Sequence, residues 1–348
     1  MTRTAAKDKT GSAVPAISVL VVAYQSGPTL DLCLKALAAQ TWTDFEVVVV
    51  DNGSTDGAPQ AAARAFPDWQ HVAAGENLGF AGGVNLAANL ARGRWIALIN
   101  PDAYAESDWL EELLAGTEAF PAVRCFGSRQ LMDENPDLLD GLGDVMSISG
   151  IPYRGGYRNP DPGLTSPGEA FSACGGAMLM ERDLFLKLGG LDERLFCYCE
   201  DVDLGYRLRL IGEPTIILPK AVVRHEGSAA SGGPRSDFAV FHGTRNRLWV
   251  FVKNTPPLLF WLTLPLHIAA TAVLFARDIS RGEAGAPWRG IWAAFAGMDT
   301  ALAMRREAQA TRRVSSWAVA RAMSWSPLDL FQRRVVIRPV RPSPPVAP

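Results

Sequence analysis

The sequence predicts an α/β fold built on a mainly parallel sheet with helices on both faces. Three observations predict it. Short β-branched runs recur, ISVLVVA at Ile17 to Ala23, FEVVVV at Phe45 to Val50 and WIALI at Trp95 to Ile99. Each run is unbroken rather than alternating, the pattern of a strand buried on both sides. Segments with helical spacing separate the runs, and strands alternating with helices imply parallel pairing.

The elements follow in order. After the first strand, Pro28 suits an opening helical turn, and Leu30, Cys33, Leu34 and Leu37 continue at helical spacing. The second strand ends at Asp51, Asn52-Gly53-Ser54 turns the chain, and 58–66 reads as a helix. Residues 69–73 form a third strand, 79–90 a helix, 95–99 the fourth strand and 108–120 an amphipathic helix. Residues 133–168 are rich in Gly, Pro, Asp and Asn with little periodicity, which reads as a binding loop or lid. Regular structure resumes with a strand over 177–181 and a helix over 201–211, closed by Gly212 as a C-terminal cap. Residues 238–252 read as another helix. Residues 256–276 are strongly apolar, with His267 as the only strongly polar side chain, and 288–310 and 314–325 read as amphipathic helices.

This gives a disordered tail over 1–15 and a globular unit over 16–254, with a nucleotide-binding half (16–131) and an acceptor half (132–254). A helical membrane-associating region over 255–335 and a loose proline-rich tail over 336–348 follow. A length of 348 residues suffices for one large domain and an appendage. The polar stretch 1–13 lacks the apolar run of a secretory signal, and the five cysteines, without paired CxxC spacing, read as reduced thiols rather than disulfides or a zinc site. The formal charge of −2 hides an asymmetry: from Arg277 onward twelve Arg face five Asp or Glu, a net +7, leaving −9 for the rest. A basic tail of this kind fits an anionic surface and fits equally a solvated arginine-rich helix pair. No nucleic-acid partner is expected.

Four motifs carry chemistry. DNGSTDG at Asp51 follows a buried strand, where a carboxylate accepts from a ribose hydroxyl or base N–H, or simply caps a turn. NLGFAGGVN, with Asn77, Gly79 and Asn85, offers backbone N–H groups to a diphosphate or a close helix–sheet contact. It is neither a Walker loop nor GxGxxG, which speaks against an ATPase or a dehydrogenase. Asn100-Pro101-Asp102 ends the fourth strand, where a carboxylate holds a divalent cation against a diphosphate, or caps the next helix. Glu200-Asp201-Val202-Asp203 opens a helix and packs three carboxylates into four residues.

The series VVAYQSG, VVVVDNGSTDG, ENLGFAGGVN, LINPDA, CGGAMLMERDLF, GGLDERLFCYCEDVDLGYRLRLIG and RHEGSAASGG resembles glycosyltransferase family 2, and within it bacterial rhamnosyltransferases of cell-surface polymers. The resemblance spans about residues 17–253. It implies a glycosyltransferase A fold and a cytoplasmic protein attached peripherally to the inner face of the cell membrane, with a transmembrane helix at 256–276 as the alternative. It implies a nucleotide-sugar donor such as dTDP-rhamnose, with UDP-sugars open, and a glycan or lipid-diphosphate-linked acceptor. It assigns Asp201 as catalytic base, Asp102 and His225 to Mg²⁺ or Mn²⁺, and Asp51, Asn77, Gly79, Asn85, Asn100, Arg245 and Arg247 to the donor. Glu200, Cys174 and Gly175 fall to the acceptor. The family's metal motif often begins with Asp where this chain has Asn100, which lowers the negative charge of the site.

The implied reaction is an inverting, single displacement with Asp201 deprotonating the acceptor hydroxyl. A sugar nucleotidylyltransferase would carry an early basic glycine-rich loop, which Ala23 to Pro28 lacks. A non-catalytic polysaccharide-assembly protein would have no need of Asp51, Asp102, Asp201 and His225 together.

Overall fold

The computed structural model describes residues 14–227, 232–233 and 235–340. Its first part runs β1 (Ile17–Ala23), α1 (Gly27–Ala38), β2 (Phe45–Asp51), α2 (Ala58–Ala65), β3 (Gln70–Ala73), α3 (Gly79–Leu90), β4 (Trp95–Ile99), β5 (Ala103–Ala105), α4 (Trp109–Ala119) and β6 (Cys125–Met132). The second part runs β7 (Leu139–Gly141), β8 (Asp144–Met146), β9 (Pro152–Arg154), β10 (Gly168–Ala170), β11 (Ala177–Glu181), α5 (Arg182–Lys187), a 3₁₀ turn (Glu193–Leu195), α6 (Glu200–Ile211), β12 (Thr215–His225) and α7 (Asp237–Asn254). Then come α8 (Pro257–Ser280), α9 (Gly285–Ala296), α10 (Met298–Ala310), α11 (Ser316–Ala322), α12 (Pro327–Gln332) and β13 (Arg338–Pro339).

One sheet organises the chain, in the order β13-β10-β12-β6-β11-β4-β1-β2-β3, with β5 added to β12 and β7 to β6. Strands β4, β1, β2 and β3 are parallel neighbours. β11 runs antiparallel between β4 and β6. From β1 the chain steps through β2 to β3 on one side and then places β4 on the other. That reversal opens a crevice at the carboxyl ends of β1, β2 and β4, where open α/β sheets bind ligands.

The unbroken apolar runs have a direct cause, since both faces of β1 are covered. Ile17, Val19 and Val21 pack with Leu30, Leu34 and Leu37 of α1 and Trp109 and Leu113 of α4. Leu20 and Val22 face the other way, toward Ala81, Val84 and Ala87 of α3 and Leu204 and Leu208 of α6. The glycine-rich start of α3 serves this second face. A Cβ at Gly83 would lie 2.6 Å from Val22, so only glycine lets the helix sit this close to β1.

Three expectations change. The segment 133–168 is not a structureless loop: β7 pairs with β6, and β8 and β9 form a hairpin. Strands of three residues are too short to show a two-residue alternation, which hid them in the sequence. The stretch 288–310 is two helices broken at Gly297, where a Cβ would come within 2.4 Å of Trp249. Part of the segment read as a loose tail forms the edge strand β13 on β10; the rest, 341–348, like the tail 1–13 and Ser228 to Ser231 of the last motif, lies outside the described residues. The C-terminal helices share a core with α6 and α7, in which Tyr206, Leu210 and Trp249 meet Ala301, Met304 and Val319.

A buried ionic group closes this joint. The Lys253 ammonium donates to Asp192 at 2.6 Å and Asp203 at 2.8 Å. Asn254 donates to the other Asp203 oxygen at 2.7 Å, and Arg207 adds a bond at 2.8 Å. Burial alone would raise the Asp203 carboxyl, but Lys253 and Arg207 outweigh it and hold it below the usual range. Asp203, expected from its motif to belong to the chemistry, is therefore structural. Removing one partner of a buried ion pair strands the others, at about 3–5 kcal/mol. Lys253→Met should lower unfolding free energy by about that amount in urea titrations; a loss below about 1 kcal/mol would mean the carboxylates find water instead.

Candidate active site

The carboxyl end of β4 delivers Asn100 and Asp102 to the crevice. The Asn100 N–H donates to the Gly176 carbonyl at 3.0 Å, which fixes the turn before β11 against it. Antiparallel pairing sets His225, at the end of β12, opposite Ala103. Its Nε2 then lies 3.2 Å from Asp102 Oδ1, and its Nδ1 lies 2.7 Å from Asp140 Oδ2. Arg154 Nη1 donates to the same Asp140 oxygen at 2.6 Å. Carboxylate, imidazole, carboxylate and guanidinium thus follow one another. Burial disfavours the imidazolium, but Asp140 and Asp102 on its two sides outweigh it and push His225 up to about 9. The Asp140 carboxyl is held below its usual range, burial being overcome by Arg154 and His225.

Asp102 and His225 are the pair that could hold a cation. Two buried oxygens beside them, Asn100 Oδ1 and Gln130 Oε1, have no hydrogen-bond partner. Both residues border the same glycine: a Cβ at Gly176 would lie 3.0 Å from Gln130 Oε1 and 3.5 Å from both Asn100 Nδ2 and His225 Cε1. Orphaned acceptor oxygens next to a carboxylate and an imidazole suit a divalent ion. Asp140 on Nδ1 orients the ring as an outer-shell carboxylate does in metal sites. Among the described residues no cluster of three or more His, Cys, Asp or Glu encloses a metal. Asp102 and His225 could thus supply only part of a cation's shell.

Asp201 stands on the other side of the same glycine turn. Its Oδ2 accepts the Gly175 N–H at 2.8 Å and its Oδ1 the Val202 N–H at 2.7 Å. A Cβ at Gly175 would lie 3.0 Å from the Asp201 Cβ. Two carboxyls neighbour it, Asp144 and Glu200. Burial, reinforced by Asp201, pushes Asp144 up to about 7 and Glu200 well above its usual range. Close carboxyls raise one another because like charges disfavour ionisation.

The loop that leads into α6 is strained. Phe196, Tyr198 and Cys199 all have positive φ, at 66°, 70° and 67°. Each such non-glycine residue costs on the order of 1–3 kcal/mol and persists only where its surroundings over-determine it. The side-chain amide of the buried Asn246 does so, with Nδ2 at 2.8 Å from the Leu195 carbonyl, 2.8 Å from that of Cys197 and 2.7 Å from that of Tyr198.

The sequence-derived residues divide accordingly. Asn100, Asp102, His225 and Asp201 converge on the Gly175–Gly176 turn. Asp51 stays at the mouth of β2, accepting from Ser54 N–H at 2.8 Å and Gln60 at 3.1 Å, the turn-capping arrangement. Asn77 accepts from Gly79 N–H at 2.9 Å and braces the same mouth through Asn52 at 3.2 Å. Asn85 binds the Leu191 N–H and carbonyl at 2.8 Å each, so it joins α3 to the 191 loop rather than facing a donor. Arg245 is bound to the Leu195 carbonyl at 3.0 Å and lies over Trp249, which commits it to the loop. Cys174 donates to Asp144 at 3.3 Å and Gly175 to Asp201, so both shape the carboxyl group cluster. Glu200 is buried beside Asp201. Sequence reasoning missed Asp140, Asp144, Arg154 and Asn246. The first three lie in the segment read as irregular, where the run Asp140-Gly-Leu-Gly-Asp144 was the available signal. Asn246, set between Arg245 and Arg247, carried no such signal.

Comparison with known proteins identifies the family and the fold. Residues 18–189 match glycosyl transferase family 2. Over 258 residues, 65% of this chain and 81% of the relative, the chain is 30% identical to an N-acetylglucosaminyl-diphospho-decaprenol L-rhamnosyltransferase of Mycobacterium tuberculosis. It is 26% identical to the O-antigen biosynthesis protein RfbC of Myxococcus xanthus over 70% of this chain and 20% of that protein. Among solved structures, the mannosyltransferase PcManGT from Pyrobaculum calidifontis in complex with GDP-Man and Mn²⁺ superposes with a TM-score of 0.52 at 20% identity, covering 91% of this chain and 88% of that one. GalNAc-T7 with UDP, GalNAc and Mn²⁺ gives 0.54 at 17% identity over 67% of this chain, which spans 47% of that structure. At such identities the two structures bear on the fold alone, and that fold is the glycosyltransferase A architecture with helices added at the C-terminus.

The state of His225 predicts how a cation should bind. Both ring nitrogens face carboxylates, so the imidazole is protonated below about 9. A metal on Nε2 must displace that proton, so affinity should rise with pH and level off above about 9. Calorimetric titration with Mn²⁺ should give about tenfold tighter binding per pH unit between roughly 7 and 8.5. Affinity that is flat in pH would remove His225 from the metal's shell.

Proposed function

We propose, from the premise that the chain belongs to glycosyltransferase family 2, that it moves a sugar from a nucleotide-diphosphate donor to a lipid-linked glycan in one inverting displacement. The chain is a glycosyltransferase of cell-surface polysaccharide synthesis. The finer reading is that the donor is dTDP-rhamnose and that the acceptor hangs on a lipid diphosphate, in keeping with the name of the mycobacterial relative.

One observation carries the mechanism: a single two-glycine turn separates the Asp102–His225 pair from Asp201. The pair stands where a donor diphosphate would leave, and the carboxylate where an acceptor hydroxyl would arrive. Asp201 would take the hydroxyl proton as the oxygen attacks the anomeric carbon. Its two backbone N–H bonds fix its direction, and the strained loop behind it holds it against recoil. Asp102 and His225 would hold the divalent cation, with Asn100 and Gln130 supplying neutral oxygens. The cation, when bound, neutralises charge on the leaving diphosphate. Asn100 in place of an acid suits this division, since His225 already lies between two carboxylates.

The membrane attachment follows from α8. By length and composition it could cross a bilayer, at a mean hydropathy of 2.0. Yet Leu259, Thr263 and His267, spaced one turn apart, are buried against the domain. His267 stacks on Phe251 at 3.9 Å, and its Nδ1 donates to the Ser149 carbonyl at 2.9 Å. The opposite face carries Trp261, Leu262 and Ile268, each at least 60% exposed, and Trp288, Trp292 and Phe331 continue the apolar surface. A helix with one face fixed to its own domain lies in the membrane plane, with aromatic rings at headgroup depth. The protein is read as monotopic, on the cytoplasmic face.

Two outcomes test these readings. Asp201→Asn keeps the shape but removes the proton acceptor, so transfer should fall by about 10²–10⁴-fold while donor affinity, measured by calorimetry, stays within a factor of two or so. Transfer near the wild-type rate would exclude Asp201 as the base. For the membrane, Trp261→Glu with Leu262→Glu should abolish sedimentation with phosphatidylglycerol vesicles without lowering the melting temperature. Resistance of the wild type to carbonate extraction would instead show a spanning helix.

A further inference from the structure

Outside the carboxylate site, the unusual feature of the molecule is a group of arginines around α7 and α8 with one carboxylate, Asp278, close to them among the described residues. Arg247 lies on α7 one turn before Phe251, on the same face, and so points toward α8. Its Nε is buried with no hydrogen-bond partner. Facing it, one turn apart on α8, are two more buried atoms without partners, His267 Nε2 and Thr271 Oγ1. His267 is 4% exposed, and its ring is fixed by Phe251 and Ser149, so it cannot turn away. Three polar groups aimed into one seam without partners mark a place where a ligand completes the bonding.

Further guanidiniums extend this seam toward the carboxylates. Arg333 is pinned by its backbone: Gly156 N–H donates to its carbonyl at 2.6 Å, and the residue holds a φ of +50°. Its guanidinium lies over the Tyr157 ring at 5.1 Å, and no carboxylate pairs with it among the described residues. Partial burial, and after it the charges of Arg277 and Arg154, pull Arg333 below its ordinary range. Burial first and Arg277 after it do the same to Arg247, with Asp278 opposing. Asp278 also lies 3.8 Å from Arg277 and 3.7 Å from Arg235, so one carboxylate is shared among several cations. Arg154 is the residue that binds Asp140. A line of cations therefore runs from the catalytic carboxylates to the helix whose other face is apolar.

We propose that Arg247, Arg277 and Arg333 form a seat for the diphosphate of the lipid-linked acceptor, separate from the donor diphosphate at Asp102 and His225. This rests on the reading that the acceptor hangs on a lipid diphosphate. The placement explains two properties at once. A diphosphate carries enough negative charge to offset converging guanidiniums, which hydrogen-bond phosphate oxygens in a fixed fork geometry. Its lipid chain would leave over the exposed face of α8, and its sugar would point toward Asp201. It also moves Arg247 from the donor, where the family resemblance put it, to the acceptor.

The test uses farnesyl diphosphate and farnesol as probes, bound to the full-length protein and followed by calorimetry. The wild type should prefer the diphosphate by more than about tenfold, and Arg247→Gln, Arg333→Gln and Arg277→Gln should each erode that preference by about tenfold. Arg277 is half exposed, so its variant folds even if Arg247→Gln does not. Arg321→Gln, on α11 and outside the group, should keep the preference. Retention of the wild-type preference by all three variants would overturn the seat. A wild type that hydrolyses donor yet binds farnesol as well as farnesyl diphosphate would overturn the lipid-diphosphate reading itself. Displacement of farnesyl diphosphate by phosphatidylglycerol vesicles at equal phosphate would assign the arginines to bulk headgroups and overturn the seat as well.

Discussion

The buried Lys253 ammonium is the contact on which the rest of the acceptor half depends. Water is excluded from it, so its charge must be matched, and Asp192 and Asp203 match it from two different segments. Asp203 belongs to the helix that Asp201 opens, and Lys253 to α7. The ion group thus fixes the rotation of α6 relative to α7. Once that is set, Asn246 on α7 reaches three carbonyls of the loop before Asp201, and a backbone that would otherwise relax out of its positive-φ conformation stays in place. Specificity of geometry, more than net stability, is what such a group contributes, because a buried ion pair roughly cancels its own desolvation.

Charge along the site alternates, and the alternation divides labour. Asp102, His225, Asp140 and Arg154 form a chain in which each charge is met by its opposite. Asp102 and His225 would hold a cation, were one to bind, with His225 giving up the proton that its two carboxylate neighbours favour. Asn100 is then a sensible residue where an acid might have stood, since a third carboxylate would need another positive partner. On the other side of the glycine turn, burial and the neighbouring Asp201 raise Asp144, against the opposing charge of Arg154, and raise Glu200 as well. Two carboxyl environments a few residues apart, those of Asp140 and Asp144, are thereby pushed in opposite directions.

How legible was this in the sequence? The strands were, because burial on both faces leaves runs such as FEVVVV that no helix or surface strand imitates. The site residues that end those strands were legible for the same reason: Asp102 follows WIALI, and the end of a buried parallel strand is where an α/β sheet binds. The carboxylates inside 133–168 were not. Asp140 and Asp144 sit in strands of three residues, whose pairing is set by β6 and by the hairpin rather than by local pattern. Asn85 was read as a donor contact from its motif and Arg245 from the family resemblance, and tertiary packing bonds both to backbone carbonyls. Polar side chains that brace loops and those that meet ligands look alike in a motif; only the partners tell them apart.

The same reasoning explains why the apolar helix α8 is not a detachable anchor. A tether would need only length and hydropathy, and α8 has both. A tether would not need His267, whose imidazole is costly in hydrocarbon and here stacks on Phe251 of the helix that carries Asn246 and Lys253. Through that contact the depth of the membrane face is fixed relative to the loop that aims Asp201. On the proposed function, a growing end held by lipid would be presented at one depth and from one side, and Asp201 as the proposed base would have to stand at a matching height. Rigid connection between α8 and α7 supplies that height, whereas a flexible linker would leave it to diffusion. The helices after residue 255 share one core with α6 and α7, and on the proposed function that core is what would make them part of the acceptor site.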